Sequence, residues 1–371
     1  MRIATFNVEN MFDRPRAMNL ATWAEGRPAL EAHQRLNELF NRATYNAATK
    51  RQILELLEQQ GLLRTDSGPW MKLRKIRGKL IHRPNNGAPT IVAGGRSSWI
   101  GWVELHTESV SDTARLNTAR VMNVVNADVL AVVEADDRPG LVLFNSSVLP
   151  LVGAAPYEHV HLFDGNDDRG IDVGLVTRAA FPIRGLRSHV DDRTPSGART
   201  FSRDCPEYEV ELPDGSRLWV LVNHLKSKGY GSPASNNARR RLQAERVRAL
   251  VDEHLAAGDE NVVVLGDLND TPGSDPLAPL LAEGSVLRDI ADHPAHDDGG
   301  RPGTHGNCTA SGKLDYILVS PALWQRVTAA GIERRGMWGG ANGTLWPHFD
   351  EVASAIDAAS DHAAVWVELA D

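Results

Sequence analysis

Residues 263–270 read VVLGDLND, four apolar or glycine positions that run without a break into an Asp-Leu-Asn-Asp cluster. With Val262 added, the apolar part is a short unbroken run rather than an alternating one, which is the pattern of a strand covered on both faces. The abrupt change at Asp267 places a carboxylate at the end of a buried strand. Other segments repeat this design. Val129-Leu-Ala-Val-Val ends at Glu134, residues 217–223 lead to His224, and Asp315 opens the run Leu314 to Val319. Arg2 to Glu9 carries Asn7, and Ala363 to Leu369 follows Asp361 and His362. Residues 170–177 read as a further strand. Residues 207–212 and 217–223 read as a hairpin across Pro213-Asp214-Gly215. Helices are predicted over 113–126, capped by Ser111 or Asp112, and over 234–257, with Ala244, Val247, Val251 and Leu255 on one face. Apolar strands with helices between them predict an α/β fold in which sheet packs on sheet, with helices outside.

The chain has 371 residues, 42% of them hydrophobic and 24% charged, which excludes general disorder. No run of eighteen apolar residues suggests a membrane span. Met1-Arg2 leads straight into a strand, with no visible signal peptide, so the expected location is cytoplasmic. The cysteines Cys205 and Cys308 make no disulfide framework and are expected to be idle thiols.

The net charge of −8 is unevenly divided. Residues 14–113 carry +6 and the remainder −14. In the basic part, residues 29–60 look helical. Leu36, Leu39, Phe40 and Ala43 are expected on one face, and a second helix is expected to close at Gly61. Residues 70–83 (WMKLRKIRGKLIHR) hold six basic residues and no acidic one, and read as a strand or hairpin arm whose partner is 96–108. An acidic body suits a cation site, and a basic segment suits a polyanion.

Strand-end Asp, Asn and His residues singly serve turns and backbone groups. Together, Asn7, Glu134, His224, Asp267, Asn269, Asp315, Asp361 and His362 make a set rich in oxygen donors, which suits a hard cation such as Mg²⁺. A phosphodiester needs its developing charge neutralised and a water deprotonated.

The ordered pieces ATFNVEN (4–10), VLAVVEAD (129–136), RGIDVGLVTR (169–178), FSRDCP (201–206), VNHLKSK (222–228), VVLGDLND, KLDYILVS (313–320) and SDHAAVWVEL (360–369) resemble the endonuclease/exonuclease/phosphatase superfamily, the deoxyribonuclease I-like fold. The resemblance covers residues 1–13 and about 114–371. It implies one domain over 1–371, a four-layer α/β/β/α sandwich of two packed mixed sheets, with 14–113 as a family-atypical basic insertion after the first strand. It implies Mg²⁺- or Mn²⁺-dependent phosphoester cleavage. Asn7, Glu134 and Asp361 are then expected to hold metal, and Asp267 to deprotonate the attacking water. Asn269 is expected to donate to the phosphate, and His224 and His362 to flank it. Asp315 is expected to hold His362, and Asp172 to hold His224. Arg203 and Arg169 are expected to contact phosphate. Glu9 is a competing candidate for metal contact. Asn10 is expected to cap a turn, Asp136 and Asp137 to be solvated turn carboxylates, and the arginine run 239–241 to be a solvated face.

The leading functional expectation is a nuclease on DNA or RNA. The alternative is a phosphatase or phosphodiesterase on a small molecule or lipid headgroup, against which stands the absence from 313–317 of the pattern that marks inositol-phosphate phosphatases. A catalytically dead binding module would have lost Glu134, Asp267 or His362. The basic insertion, with Trp70, Trp99 and Trp102 as candidate base-stacking residues, is expected to bias substrate choice toward nucleic acid, because its ends flank Asn7 and the helix leading to Glu134.

Overall fold

The computed structural model describes the chain except residues 19, 21, 22, 168, 230 and 371 and the side chain of residue 23. It divides into two compact units, one formed by Met1–Phe12, Val110–Lys228 and Ser232–Asp371, the other by Asp13–Ser109 with Gly229–Gly231.

The first unit contains two mixed sheets. Its strands are β1 (Arg2–Asn7), β2 (Val129–Ala135), β3 (His159–Phe163), β4 (Asp172–Thr177), β5 (Ile183–Arg187), β6 (Glu207–Glu211), β7 (Arg217–His224), β8 (Val262–Asp267), β9 (Arg288–Asp289), β10 (His296–Asp297), β11 (Asp315–Val319), β12 (Val327–Glu333) and β13 (Ala364–Leu369). One sheet runs β10-β12-β13-β1-β2-β4-β3 and the other β5-β6-β7-β8-β11-β9. The unbroken apolar runs are explained by burial on both faces. Val129, Ala131 and Val133 join Val263, Leu265 and Ile317 in the core between the sheets. Leu130 and Val132 instead face helix α1 (Asp112–Val125), meeting Ala119, Met122 and Val125. Val262 and Val264 face helix α2 (Pro233–Ala256), meeting Ala244, Val247 and Val251. The order is therefore helix, sheet, sheet, helix, and the α/β/β/α sandwich read from the sequence is the observed fold.

Local chemistry sets the helix starts. The Ser111 side chain accepts a hydrogen bond from the Ala114 N–H, and Ser232, with Pro233 following it, accepts from Ser235. Strands β3, β5 and β12 lack an unbroken apolar run and were not read from the sequence.

The second unit has helices over Trp23–Phe40 and Ala47–Gln59 and a two-stranded antiparallel ribbon of Met71–Gly78 with Trp99–Leu105. Leu36, Leu39, Phe40, Ile53, Leu57, Trp99 and Val103 form its core. Ala43 leaves the predicted face, because the first helix stops at Phe40 and Asn46 caps the second. Trp99 is buried against Phe40 and Trp70 packs on the same core, so neither is a free stacking surface. Trp102 is exposed. Among the described residues, no helix is long and apolar enough to cross a membrane.

Candidate active site

Strand register assembles the site. His224 pairs with Asp267 across β7 and β8, and Asp267 pairs with Asp315 across β8 and β11, so three candidate site residues lie in a row at one end of one sheet. In the other sheet Asn7 pairs with Val133, which puts Glu134 one residue beyond it. The two sheet ends then face each other. Asn7 Nδ2 lies 3.4 Å from Asp267 Oδ2, and His224 Nε2 lies 3.4 Å from Glu134 Oε1 and 3.6 Å from Asp267 Oδ2.

The backbone bends where these strands end. Glu9, Asn10, Glu134 and Asn269 all have positive φ, between 50° and 65°. Such a conformation costs a side-chain-bearing residue about 1–2 kcal/mol, and it clusters at functional sites. Gly266 explains its own identity: at φ 127° a Cβ would stand 2.0 Å from the Asn223 carbonyl oxygen.

Asp315 holds His362 as expected, Oδ2 lying 2.8 Å from Nδ1. The Thr304 hydroxyl donates to the same oxygen at 2.6 Å. Burial opposes a charge on His362, but Asp315, with Asp361 and Asp267 nearby, holds its pKa well above the ordinary imidazole value. Ser360 secures the segment, donating to the Asn7 carbonyl at 2.7 Å and accepting from the His362 N–H at 3.0 Å.

His224 is the opposite case. It is buried, and burial together with Arg203 and Arg169 pushes its pKa well below the ordinary value. It is therefore held toward its neutral form. Asp172 does not hold it. The Asp172 carboxylate accepts from the Gly165 N–H at 2.7 Å, and His224 Nδ1 has no hydrogen-bond partner among the described residues. Burial pushes Asp172 up to about 7, with the Gly165 hydrogen bond opposing and Asp164 and Asp167 adding to the rise.

Asp267 accepts the Asn269 N–H at 2.8 Å on Oδ1 and the Asn269 side-chain amide at 3.1 Å on Oδ2. That amide also donates to the Leu225 carbonyl at 3.1 Å. Both of its protons are thus taken, and Asn269 positions Asp267 rather than presenting a donor outward. Burial, then the facing Asp315, pushes Asp267 up to about 7.

The arginines also differ from expectation. Arg203 is 2% exposed, pairs through Nε with Asp167 at 3.0 Å and donates to the Leu225 carbonyl. Arg169 grips Asp167 with two contacts, at 2.8 and 2.7 Å. The two guanidiniums are close enough to His224 to oppose its protonation, and a direct phosphate contact by Arg203 would require it to leave Asp167. Burial opposes charge on Asp167, yet the two arginines hold it ionised, well below the usual carboxylate range.

Glu9 lies beside Asp361, its Oε2 accepting the Asp361 N–H at 3.1 Å. Asp136 is not a solvated carboxylate: it accepts from the Met11 and Phe12 N–H groups and the Asn10 amide. Arg240, in the predicted solvated run, is buried and paired with Asp270. Asp137 caps the helix Arg138–Leu143.

Four side chains near the site were missed. Thr304 and Ser360 act through hydrogen bonds to distant residues. Lys226, two residues after His224, is pushed down to about 7 by burial and by Arg203 and Arg169. His305 contacts Asp361 at 3.2 Å. Its only sequence signal was a histidine next to a glycine.

The donors fit a divalent cation. Asn7 and Glu134 offer oxygens at one sheet end with Asp267 facing them across the gap, and among the described residues no lysine or arginine pairs with Glu134. Donor atoms of Glu134, His224 and Asp267 lie within 4.8 Å of one another, as do those of His305, Asp361 and His362.

A sandwich of two sheets with carboxylates, amides and histidines at their facing ends suits phosphoester hydrolysis. The chain belongs to the Endonuclease/Exonuclease/phosphatase family, whose profile matches residues 106–362. No curated protein matches it. Among solved structures it is similar to the mannosyl-6-phosphatase Bt3783 of Bacteroides thetaiotaomicron, at 18% identity and TM-score 0.50, covering 70% of this chain and 92% of that one. An endonuclease/exonuclease/phosphatase family protein of the same species gives 18% and 0.50, covering 70% and 88%. The human Nocturnin catalytic domain gives 15% and 0.48, covering 69% and 85%.

Proposed function

We propose that this chain is a divalent-metal-dependent phosphodiesterase that cleaves DNA or RNA by attack of an activated water. The observation that carries the reading is the buried Asp267, pushed up to about 7, between a neutral His224 and a cationic His362. A general base works best with a pKa near the working pH. Asn7 and Glu134, with Asp361 at the open side, would hold Mg²⁺ or Mn²⁺, which when bound neutralises charge on the phosphate oxygens. Asp267, held by Asn269, takes the proton of the attacking water. His362 donates from Nε2 to a phosphate oxygen, its charge sustained by Asp315. His224 supplies a neutral ring between Glu134 and Asp267, and Arg203 and Arg169 add positive field to it.

The nucleic-acid assignment is supported by the second unit. Lys75 and Arg77 are exposed on its ribbon and Lys79 just beyond it, with Trp102 on the partner strand. The test is hydrolysis of plasmid, single-stranded DNA, RNA and bis-p-nitrophenyl phosphate with Mg²⁺ or Mn²⁺. Cleavage of bis-p-nitrophenyl phosphate without any polynucleotide would move the assignment to a small phosphoester.

A further inference from the structure

His305, Asp361 and His362 stand together at the exposed margin of the site. The His305 and His362 rings lie 4.6 Å apart, centroid to centroid. His305 Nε2 is 3.2 Å from Asp361 Oδ2, and His362 Nε2 is 3.8 Å from Asp361 Oδ1. The geometry points to a second cation position here, formed by His305, Asp361 and His362, which takes a transition-metal ion such as Zn²⁺ or Co²⁺ rather than Mg²⁺.

The distances are of the right size. Ligands about 2.0–2.1 Å from a tetrahedral zinc are about 3.3 Å from each other. The two measured pairs, one to each oxygen of Asp361, lie near that spacing, and one donor atom from each of the three residues lies within 4.8 Å of the others. Small side-chain rotations close the remainder, and the half-exposed Asp361 leaves solvent access for a fourth ligand.

Donor chemistry separates this position from its neighbour. Asn7 and Glu134 offer only oxygen, which suits Mg²⁺ and Mn²⁺, and Asp361, assigned above to the open side of that position, is shared between the two. Two imidazoles and one carboxylate suit zinc and cobalt.

The surroundings are also built for ligation. Asp315 binds His362 Nδ1, which fixes the ring and turns Nε2 outward, the usual arrangement of a carboxylate behind a metal-binding histidine. The backbone holds the two histidines together. They form an antiparallel bridge, the His305 N–H donates to the Gly312 carbonyl at 2.9 Å, and the Gly306 N–H donates to the Asp361 carbonyl at 3.0 Å. Thr304, next to His305, donates to Asp315, so both histidines hang from one hydrogen-bonded unit.

A cation here occupies the Nε2 lone pair of His362 in place of its proton. Zinc therefore inhibits Mg²⁺-supported hydrolysis. This consequence rests on the proposed role of His362, whereas the binding site does not.

The test is titration of metal-free protein with Co²⁺, followed by its visible tetrahedral absorption and by Zn²⁺ competition. Wild type and Glu134→Gln are expected to develop the band. His305→Gln and, as a second variant, Asp361→Asn are expected to weaken binding roughly tenfold or more, since even outer partners of metal ligands are worth that much. No band in the wild type, or an unchanged affinity in His305→Gln and Asp361→Asn, overturns the site. Zn²⁺ inhibition of bis-p-nitrophenyl phosphate hydrolysis is then compared in wild type and His305→Gln. A His305-dependent band without His305-dependent inhibition keeps the site and rejects the role given to His362.

Discussion

Asp267 and Asp315 stand directly opposite each other on adjacent antiparallel strands, and only Asp315 is hydrogen-bonded to an imidazolium. Like charges paired across a sheet repel, more so when buried. The pair tolerates this because the two carboxylates differ. Asp315 is held by His362 and Thr304, while Asp267 is pushed toward its neutral form. One constellation thus sustains a charged imidazole at His362 and a carboxyl poised near neutrality at Asp267.

Asp267→Asn should reduce hydrolysis by roughly a hundredfold or more, the usual worth of a positioned base. It should also stabilise the metal-free protein at alkaline pH. The sign follows from a folded-state pKa raised to about 7. The protonated carboxyl is preferred in the folded state, so its contribution to stability is complete below the ordinary carboxylate pKa and is lost as pH rises through about 7. Asparagine removes that loss. Thermal unfolding at pH 5 and pH 8.5 should show a Tm difference between variant and wild type that grows with pH. A difference independent of pH would mean that Asp267 is not perturbed in this way.

Asp315→Asn should act through His362. The imidazolium persists to high pH because Asp315 and its carboxylate neighbours outweigh burial. Replacing Asp315 lowers that pKa, and the alkaline limb of the rate profile should move to lower pH. The measurement is kcat across pH 6–9. Superimposable profiles for the variant and wild type would break the assignment.

These relationships differ in how far sequence could reach them. Asn7, Glu134, His224, Asp267 and Asp315 were legible because each ends or begins an apolar run, and register then does the assembling. The residues that hold them were not. Thr304 meets Asp315 eleven positions along the chain, and Ser360 meets Asn7 across 353. Arg240 looked solvated inside an arginine run, yet its partner Asp270 is thirty residues away. Asp172 was matched to His224 by position along the chain, but its carboxylate faces Gly165 and the Asp167–Arg203 pair. Local pattern identifies which residues sit at strand ends. It does not encode which distant donor their side chains meet.

Chelation by EDTA should abolish turnover, and Mg²⁺ or Mn²⁺ should restore it. Glu134 has no cationic side-chain partner among the described residues, so a cation is what makes its charge useful. Glu134→Gln should raise the metal concentration needed for half-maximal rate by roughly tenfold or more. Undiminished hydrolysis in excess chelator would rule out a metal-dependent mechanism.

Asp172→Asn should leave kcat within a few-fold of wild type, roughly 1 kcal/mol or less, since Asp172 makes no hydrogen bond to His224. Its raised pKa, about 7, gives the same sign as for Asp267: asparagine should favour folding above neutrality. A loss comparable to that of Asp267→Asn would show that the carboxylate acts on the reaction after all.

The basic ribbon of the second unit should govern polynucleotide affinity and leave small phosphodiesters indifferent. Of the six basic residues of segment 70–83, Arg74 is paired with Glu104, and Arg83 with Asp66 and three backbone carbonyls. Those two serve the unit's own structure. Lys75, Arg77 and Lys79 are exposed, and Ile76 between them is 71% exposed. Each phosphate neutralised by such a residue contributes about 0.9 to the slope of log affinity against log salt. Changing Lys75, Arg77 and Lys79 together to Ser should therefore flatten that slope by up to about 3. Polynucleotide hydrolysis at physiological salt should fall, while bis-p-nitrophenyl phosphate hydrolysis should stay at the wild-type rate. The paired design separates the two roles of charge, because a damaged active site would lower both rates. An unchanged slope with unchanged polynucleotide cleavage would make the ribbon a solubilising surface and transfer the substrate assignment to a small phosphoester.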